Sequence, residues 1–235
     1  MSETGQVVFL LDCDNTLLDN DAVQQDLRTH MEQQFGPASA ALYWQLFEQL
    51  RTELGYADYL GALQRFRDQA VCDMRLLRMS SFLLDYPFAE RLYPGALQVI
   101  AHLDTAGTCV MLSDGDVIFQ PHKVERSGLW QALGARVLIY IHKEFMLDEV
   151  ARRYPASHYV FVDDKPRLLD AIKRHWGERV TTVFPRQGHY ALAPHDASLL
   201  EPDITVDAIG ELIDFDLTRL RERARAVPTN RSNPS

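Results

Sequence analysis

An α/β fold built on a parallel sheet is predicted by three features of the chain. Four apolar runs, in VVFLLDCDNT (7–16), TCVMLSDGD (108–116), VLIYIHK (137–143) and YVFVDDK (159–165), each lead into a polar residue capable of chemistry. The runs are short and rich in Val, Ile and Phe, as expected of strands buried on both faces. Helical patterns separate them, the arrangement that joins parallel strands. In such a sheet all strands end at the same edge, where ligands bind. Asp12, Asp14, Ser113, Lys143, Asp163 and Asp164 are therefore expected to converge on one crevice.

After the first strand, helices are expected near 21–34, 40–54, 57–71 and 73–84. Leu42, Leu46, Leu50 and Leu54 recur every four residues beside Tyr43 and Phe47, the pattern of an amphipathic helix. FGPASA (35–40) breaks one helix and offers Ser39 near the start of the next, and LGYAD (54–58) breaks again. No buried-strand pattern occurs in 20–89, so the sheet pauses there for an all-helical insertion, entered near Asp19-Asn20-Asp21 and left near 87–94. The α/β rhythm resumes at Tyr93-Pro94-Gly95 with a helix near 95–106, the Ser113 strand, and a helix within 121–133 closed by Gly128. The Lys143 strand leads to a helix near 145–153, and the Asp163-Asp164 strand to one starting at Pro166, a favoured first-turn residue. RVTTVF (179–184) and DITV (203–206) read as a fifth and a sixth strand. The expected organisation is a core of 1–19 and 90–213, an insertion of 20–89, and a charged helix (214–226) with a disordered tail in 214–235.

The 235 residues can bury a substantial core, and 46% hydrophobic with 24% charged residues is ordinary for a globular protein. A net charge of −9 argues against general binding to nucleic acid or anionic membranes. No run approaches a membrane span, and MSETGQ lacks the basic and apolar parts of a signal peptide. Cys13, Cys72 and Cys109 have neither metal-ligand spacing nor a disulfide framework, so a reduced, cytoplasmic setting is expected. Alternation along the strand should turn Cys13 away from Asp12 and Asp14, and place those two carboxylates on one side. Two carboxylates facing a second acidic pair repel unless a cation intervenes. Mg²⁺, which prefers oxygen ligands, suits such a set, and no Cys/His cluster points to zinc.

The order DxDxT, Ser, Lys, Asp-Asp resembles the haloacid dehalogenase-like superfamily, most of whose members hydrolyse phosphate esters. The resemblance covers roughly residues 5–210, with DCDNTLLDN its most specific element and only length and helicity behind it in 20–89. It implies a Rossmann-like core with a helical cap (20–89) over the active site. It implies Asp12 as nucleophile, Asp14 as acid and then base, and Ser113 and Lys143 as partners of the transferring phosphoryl group. Mg²⁺ would contact Asp12, the backbone carbonyl of Asp14, and Asp163 or Asp164. Thr16 fits the position that supports the loop after the nucleophile. Relatives often carry Asn or Asp four residues after the Asp-Asp pair, where this chain has Leu168. Asp114 and Asp116 are a supporting or a solvated pair, and His142 and His189 are assigned no catalytic role. Arg75 and Arg78 could reach a distal anion of the substrate or form a solvated helix face.

The expected function is a Mg²⁺-dependent phosphatase acting on a small phosphorylated metabolite through an aspartyl-phosphate, as a monomer or homodimer. A phosphomutase would share every core residue. A 2-haloacid dehalogenase also uses an aspartate nucleophile, but the resembled dehalogenases lack the second aspartate and need no metal, so Asp14 and the Asp163-Asp164 pair count against it. A non-enzymatic binding role is disfavoured by the completeness of the catalytic set.

Overall fold

Six parallel strands form the centre of the molecule: β1 (Val7–Leu11), β2 (Thr108–Asp114), β3 (Val137–Tyr140), β4 (His158–Val162), β5 (Val180–Pro185) and β6 (Ile204–Val206). The computed structural model describes residues 6–68, 73–194 and 196–217. The strand order is β3-β2-β1-β4-β5-β6, and every pairing is parallel. The chain steps outward from β1 to β3 on one side, then returns to lay β4 against the other side of β1. The crevice at this switch point, outside the strand ends, is where an open α/β sheet binds ligands.

All five residues of β1 and all five of β4 are buried, so these strands read as continuous apolar runs. Their side chains nevertheless alternate between two cores. Val7, Phe9, Leu11 and Cys13 join one cluster, while Val8, Leu10, Tyr159 and Phe161 join the other. Cys13 thus faces away from its flanking aspartates.

Between β1 and β2 stand α1 (Asn20–Phe35), α2 (Pro37–Leu54), α3 (Tyr59–Arg67) and α4 (Arg75–Leu84). Asp19 caps α1 through its side chain, which accepts the Ala22 N–H at 2.9 Å. Helix α2 begins at Pro37 rather than at 40, because Pro takes the first helical position after Gly36 turns the chain at φ 84°. Its buried face is Ala40, Tyr43, Trp44, Phe47 and Leu50, whereas Leu54 is 37% exposed. A four-residue repeat drifts around a helix of 3.6 residues per turn, so the leucine row leaves the core by its fourth member.

The two crossings between this insertion and the sheet run side by side. Leu18 and Leu92 form an antiparallel bridge, Asp19 N–H donates to Arg91 O at 2.7 Å, and Tyr93 N–H donates to Leu17 O at 2.9 Å. Tyr59 of α3 packs on Phe119, with ring centroids 5.3 Å apart, and Phe119 packs on Phe88 at 5.8 Å.

The rest of the molecule alternates as expected: α5 (Ala96–Asp104), α6 (Phe119–Arg126), α7 (Leu129–Ala132), α8 (Leu147–Arg153) and α9 (Pro166–Trp176). The 121–133 segment splits into α6 and α7 because Gly128 adopts a left-handed conformation at φ 85°. From residue 218 onward the expected charged helix and tail lie outside the described residues, and at 209–214 the chain forms a 3₁₀ turn. No helix among the described residues is long and apolar enough to cross a membrane.

Phe9 lies fully buried in the central strand. Phe9→Ala is expected to cost about 3–5 kcal/mol of unfolding free energy, measured by urea denaturation. A loss under about 1 kcal/mol would place the principal core elsewhere.

Candidate active site

Strand register brings the acids together. Leu11 pairs with Val162, and Asp12 N–H donates to Val162 O at 3.0 Å, so Asp12 and Asp163 leave neighbouring strands at the same level. Neighbouring strands lie about 4.8 Å apart. Asp12, Asp163 and Asp164 each offer a carboxylate oxygen, and these oxygens all lie within 4.8 Å of one another. All three residues are buried. Asp12 Oδ2 and both Asp164 carboxylate oxygens have no hydrogen-bond partner among the described residues. Buried charged oxygens left in this state are costly. A hard divalent cation, which accepts carboxylates at close range, fits this donor set.

The loop after β1 is held from both sides. Asn15 sits at φ 58°, and its Oδ1 accepts the N–H groups of Asn20 at 3.0 Å and Asp21 at 3.1 Å. Thr16 Oγ1 accepts the Asp164 N–H at 3.1 Å, which ties this loop to the end of β4. Gln187 Nε2 donates to Thr16 O at 3.0 Å. His189 closes the outside of the loop through Asp21, 2.8 Å from its Nδ1.

Lys143 follows β3 in a 3₁₀ turn and reaches into the acidic cluster. Its Nζ lies 2.5 Å from Asp12 Oδ1 and 3.1 Å from Leu112 O. It also lies 2.6 Å from Asp163 Oδ2, an ion contact without the direction of a hydrogen bond. The Lys143 N–H donates to Asp114 Oδ1 at 2.8 Å. Burial opposes the charge on Lys143, but the Asp12 and Asp163 carboxylates outweigh it and hold the ammonium above its usual range. Burial pushes the Asp163 carboxyl up against the opposing pull of Lys143. It pushes Asp164 up as well, with Asp163 and Asp12 adding to the shift.

Asp14 stands apart from this cluster, with a side chain 26% exposed. Lys123 Nζ, on α6, lies 2.7 and 2.9 Å from the two Asp14 oxygens and 3.1 Å from Asn20 Oδ1. Gln120 Nε2 donates to Ser113 Oγ at 3.0 Å and reaches Asp14 Oδ2 at 3.4 Å. Ser113, Asp14 and α6 therefore form one polar network, linked to Lys143 through Asp114, whose carbonyl accepts the Ser113 hydroxyl at 3.2 Å.

Solved structures place this arrangement in a family. A haloacid dehalogenase-like hydrolase from Burkholderia xenovorans LB400 is 62% identical, with 90% of this chain and 99% of that one covered and a TM-score of 0.84. The chain belongs to the haloacid dehalogenase-like hydrolases. Two more distant structures share the fold. One is an L-2-haloacid dehalogenase from Xanthobacter autotrophicus with chloropropionic acid covalently bound (20% identity, 91% and 98% covered, TM-score 0.58). The other is the magnesium-bound hydrolase YfnB from Bacillus subtilis (15% identity, 89% and 97% covered, TM-score 0.59). No family model and no curated protein matches the chain.

In this haloacid dehalogenase-like hydrolase, Asp12, Lys143, Asp163 and Asp164 gather in one buried cluster, with Ser113 and Asp14 beside it. Lys123 and Gln120 escape a reading based on strand ends. Their signal was the apolar face of α6, where Phe119, Gln120, Lys123 and Val124 are all buried. Asp116 serves the start of that helix, accepting the N–H groups of Ile118 at 2.8 Å and Phe119 at 2.6 Å. Arg75 is occupied at the far end of α1, pairing with Asp73 and lying over the Phe35 ring.

A carboxyl whose folded value is raised binds its proton more tightly in the native state, so stability falls as pH climbs from the unfolded value toward the folded one. Asp163 and Asp164 are raised in this sense. Metal-free protein is expected to lose thermal stability between about pH 5 and about pH 8, and Asp164→Asn to flatten that decline. Parallel melting curves over this interval check it; identical slopes in both proteins would remove Asp164 from the account.

Proposed function

We propose that this hydrolase is a Mg²⁺-dependent phosphatase that acts on a small phosphorylated metabolite through an Asp12-phosphate. The observation that carries the reading is the trio of buried carboxylates with unpartnered oxygens at the switch point. Such a trio is suited to bind a cation and repels an anionic substrate without one. Asp12, Asp163 and Asp164, with the backbone of Asp14, would hold the metal, and Mg²⁺ when bound supplies positive charge to phosphoryl oxygens. The magnesium-bound fold relative supports this choice of ion.

In the proposed cycle an Asp12 carboxylate oxygen forms a bond to phosphorus as the ester P–O bond breaks. The leaving oxygen takes its proton from Asp14, the partly exposed carboxyl beside the cluster. Water then attacks the same phosphorus and gives a proton back to Asp14. The bond to Asp12 breaks, inorganic phosphate departs and both residues are restored. Lys123 and Gln120 orient Asp14, and Ser113, held by Gln120, lines the same side. Residues 20–89 serve as the cap over this crevice, joined to the core by the paired crossings at Leu18 and Leu92.

Fold relatives include an L-2-haloacid dehalogenase with chloropropionic acid covalently bound, so halide release is the competing chemistry. Asp14 argues against it, because halide leaves without needing a proton.

Purified protein is expected to hydrolyse p-nitrophenyl phosphate only with Mg²⁺ and to stop with EDTA. Asp12→Asn should lower kcat by at least about 10³-fold with little change in melting temperature, since an amide is nearly isosteric but a poor nucleophile. Chloride release from 2-chloropropionate without phosphatase activity, or full phosphatase activity after rigorous chelation, would overturn the proposal.

A further inference from the structure

Asn15 is the strained point of the loop after β1. It lies at φ 58°, the left-handed region that a residue with a side chain enters at a cost. That angle sets the peptide which Asn15 shares with Asp14. The Asn15 N–H donates to Leu18 O at 2.6 Å, inside the loop. In a trans peptide the carbonyl points the opposite way, so the Asp14 carbonyl faces out of the loop. No backbone N–H among the described residues donates to it.

Three consecutive residues after β5 close on this loop. Gln187 Nε2 donates to Thr16 O at 3.0 Å, and Gln187 Oε1 accepts the Ile209 N–H at 2.6 Å. Gly188, at φ 66°, brings its backbone so near that a Cβ there would lie 2.6 Å from the Asn15 Cβ. His189 grips Asp21: its N–H donates to Oδ2 at 2.7 Å, and its Nδ1 lies 2.8 Å from Oδ1. A carboxylate only accepts, so Nδ1 is the nitrogen that carries the proton. Asp21 Oδ1 also accepts from Asn15 Nδ2 at 3.0 Å, and Asn15 Oδ1 takes the Asp21 N–H at 3.1 Å. His189 therefore reaches Asn15 through one residue, and that residue stands in the first turn of α1.

We infer that His189 is a positioning residue for the metal site: bound to Asp21, it keeps the Asn15 side chain anchored and so fixes the direction of the Asp14 carbonyl. The inference rests on the Mg²⁺-dependent reading above and adds to it a residue that touches neither metal nor substrate. Asp12, Asp163 and Asp164 follow the ends of paired, buried strands, and the sheet itself sets their places. The Asp14 carbonyl belongs to a loop, and its direction hangs on one strained residue. Groups standing behind a metal's direct ligands orient them, and losing such a group is felt in metal affinity. A glycine at position 15 would take φ 58° unaided and would offer Asp21 no side chain to hold. His189 thus matters to the metal only because position 15 carries a side chain.

The test titrates Mg²⁺ calorimetrically into the full chain without substrate, with melting temperatures to confirm folding. It compares wild type, His189→Ala, Asp21→Ala, Asn15→Gly, and each of the first two combined with Asn15→Gly. The His189–Asp21 pair is partly exposed, so His189→Ala and Asp21→Ala should each raise the Mg²⁺ dissociation constant only about three- to tenfold. In the Asn15→Gly background the same substitutions should change it by less than about twofold. Wild-type Mg²⁺ affinity in a folded His189→Ala protein would overturn the inference. A loss of equal size in the glycine background would overturn it too, because His189 would then support the fold and not Asn15. Both outcomes leave the phosphatase reading standing if p-nitrophenyl phosphate is still hydrolysed with Mg²⁺. Should His189→Ala fail to fold, Asp21→Ala carries the same two comparisons. A wild-type protein that neither binds Mg²⁺ nor hydrolyses the ester would sink both.

Discussion

Like charges crowded into a dry crevice govern the architecture around the sheet's switch point. Asp12, Asp163 and Asp164 are each at most 1% exposed, with oxygens within 4.8 Å of one another. Removing such groups from water costs several kcal/mol apiece unless they are paired. The fold answers with Lys143 beneath the cluster, the Lys165 backbone N–H on Asp163 Oδ1, and Thr16 locking the β1 loop to β4. These devices offset part of the repulsion. The oxygens that remain without partners point to a further cation, so the site's incompleteness and its chemistry have one cause.

A second set of polar contacts holds Asp14 beside the first. Lys123 and Gln120 come from α6, and Asn20 comes from the first turn of α1, so the insertion and the sheet both contribute to holding one carboxylate. Lys123 is buried, with the Phe119 ring 5.8 Å from its Nζ, while the Asp14 carboxylate it holds stays partly exposed. A half-buried pair of this kind adds little stability but fixes geometry. Two carboxylates only two residues apart therefore meet distinct surroundings, one fully buried and one partly exposed.

Much of this was legible because strand ends carry their own address. An apolar run leading into Asp12, Ser113 or Asp163 announces both burial and location, and parallel connectivity sends all such ends to one edge. The same logic reached Lys143 even though β3 stops at Tyr140, since the turn that follows carries the lysine back into the cluster. Lys123 and Gln120 were hidden because a helix shows its buried face only through spacing, and two polar residues on that face imitate a solvated one. The leucine row of α2 announced its helix, and only its fourth member turns outward, because a repeat of four drifts on a turn of 3.6.

The bridge between Leu18 and Leu92 has a consequence for how such a chain can change over generations. Both ends of the insertion are pinned to each other, so whatever lies between leaves the sheet and returns to the same spot. The free-energy penalty of enlarging a closed loop grows only with the logarithm of its length, about 0.6 kcal/mol per doubling. Pairing of β1 with β2 and β4 is then nearly indifferent to how many residues the excursion holds. Helices could be added, dropped or exchanged beyond that bridge while the carboxylates at the sheet edge kept their spacing. The bridge thus separates the part of the chain free to diversify from the part that must stay constant.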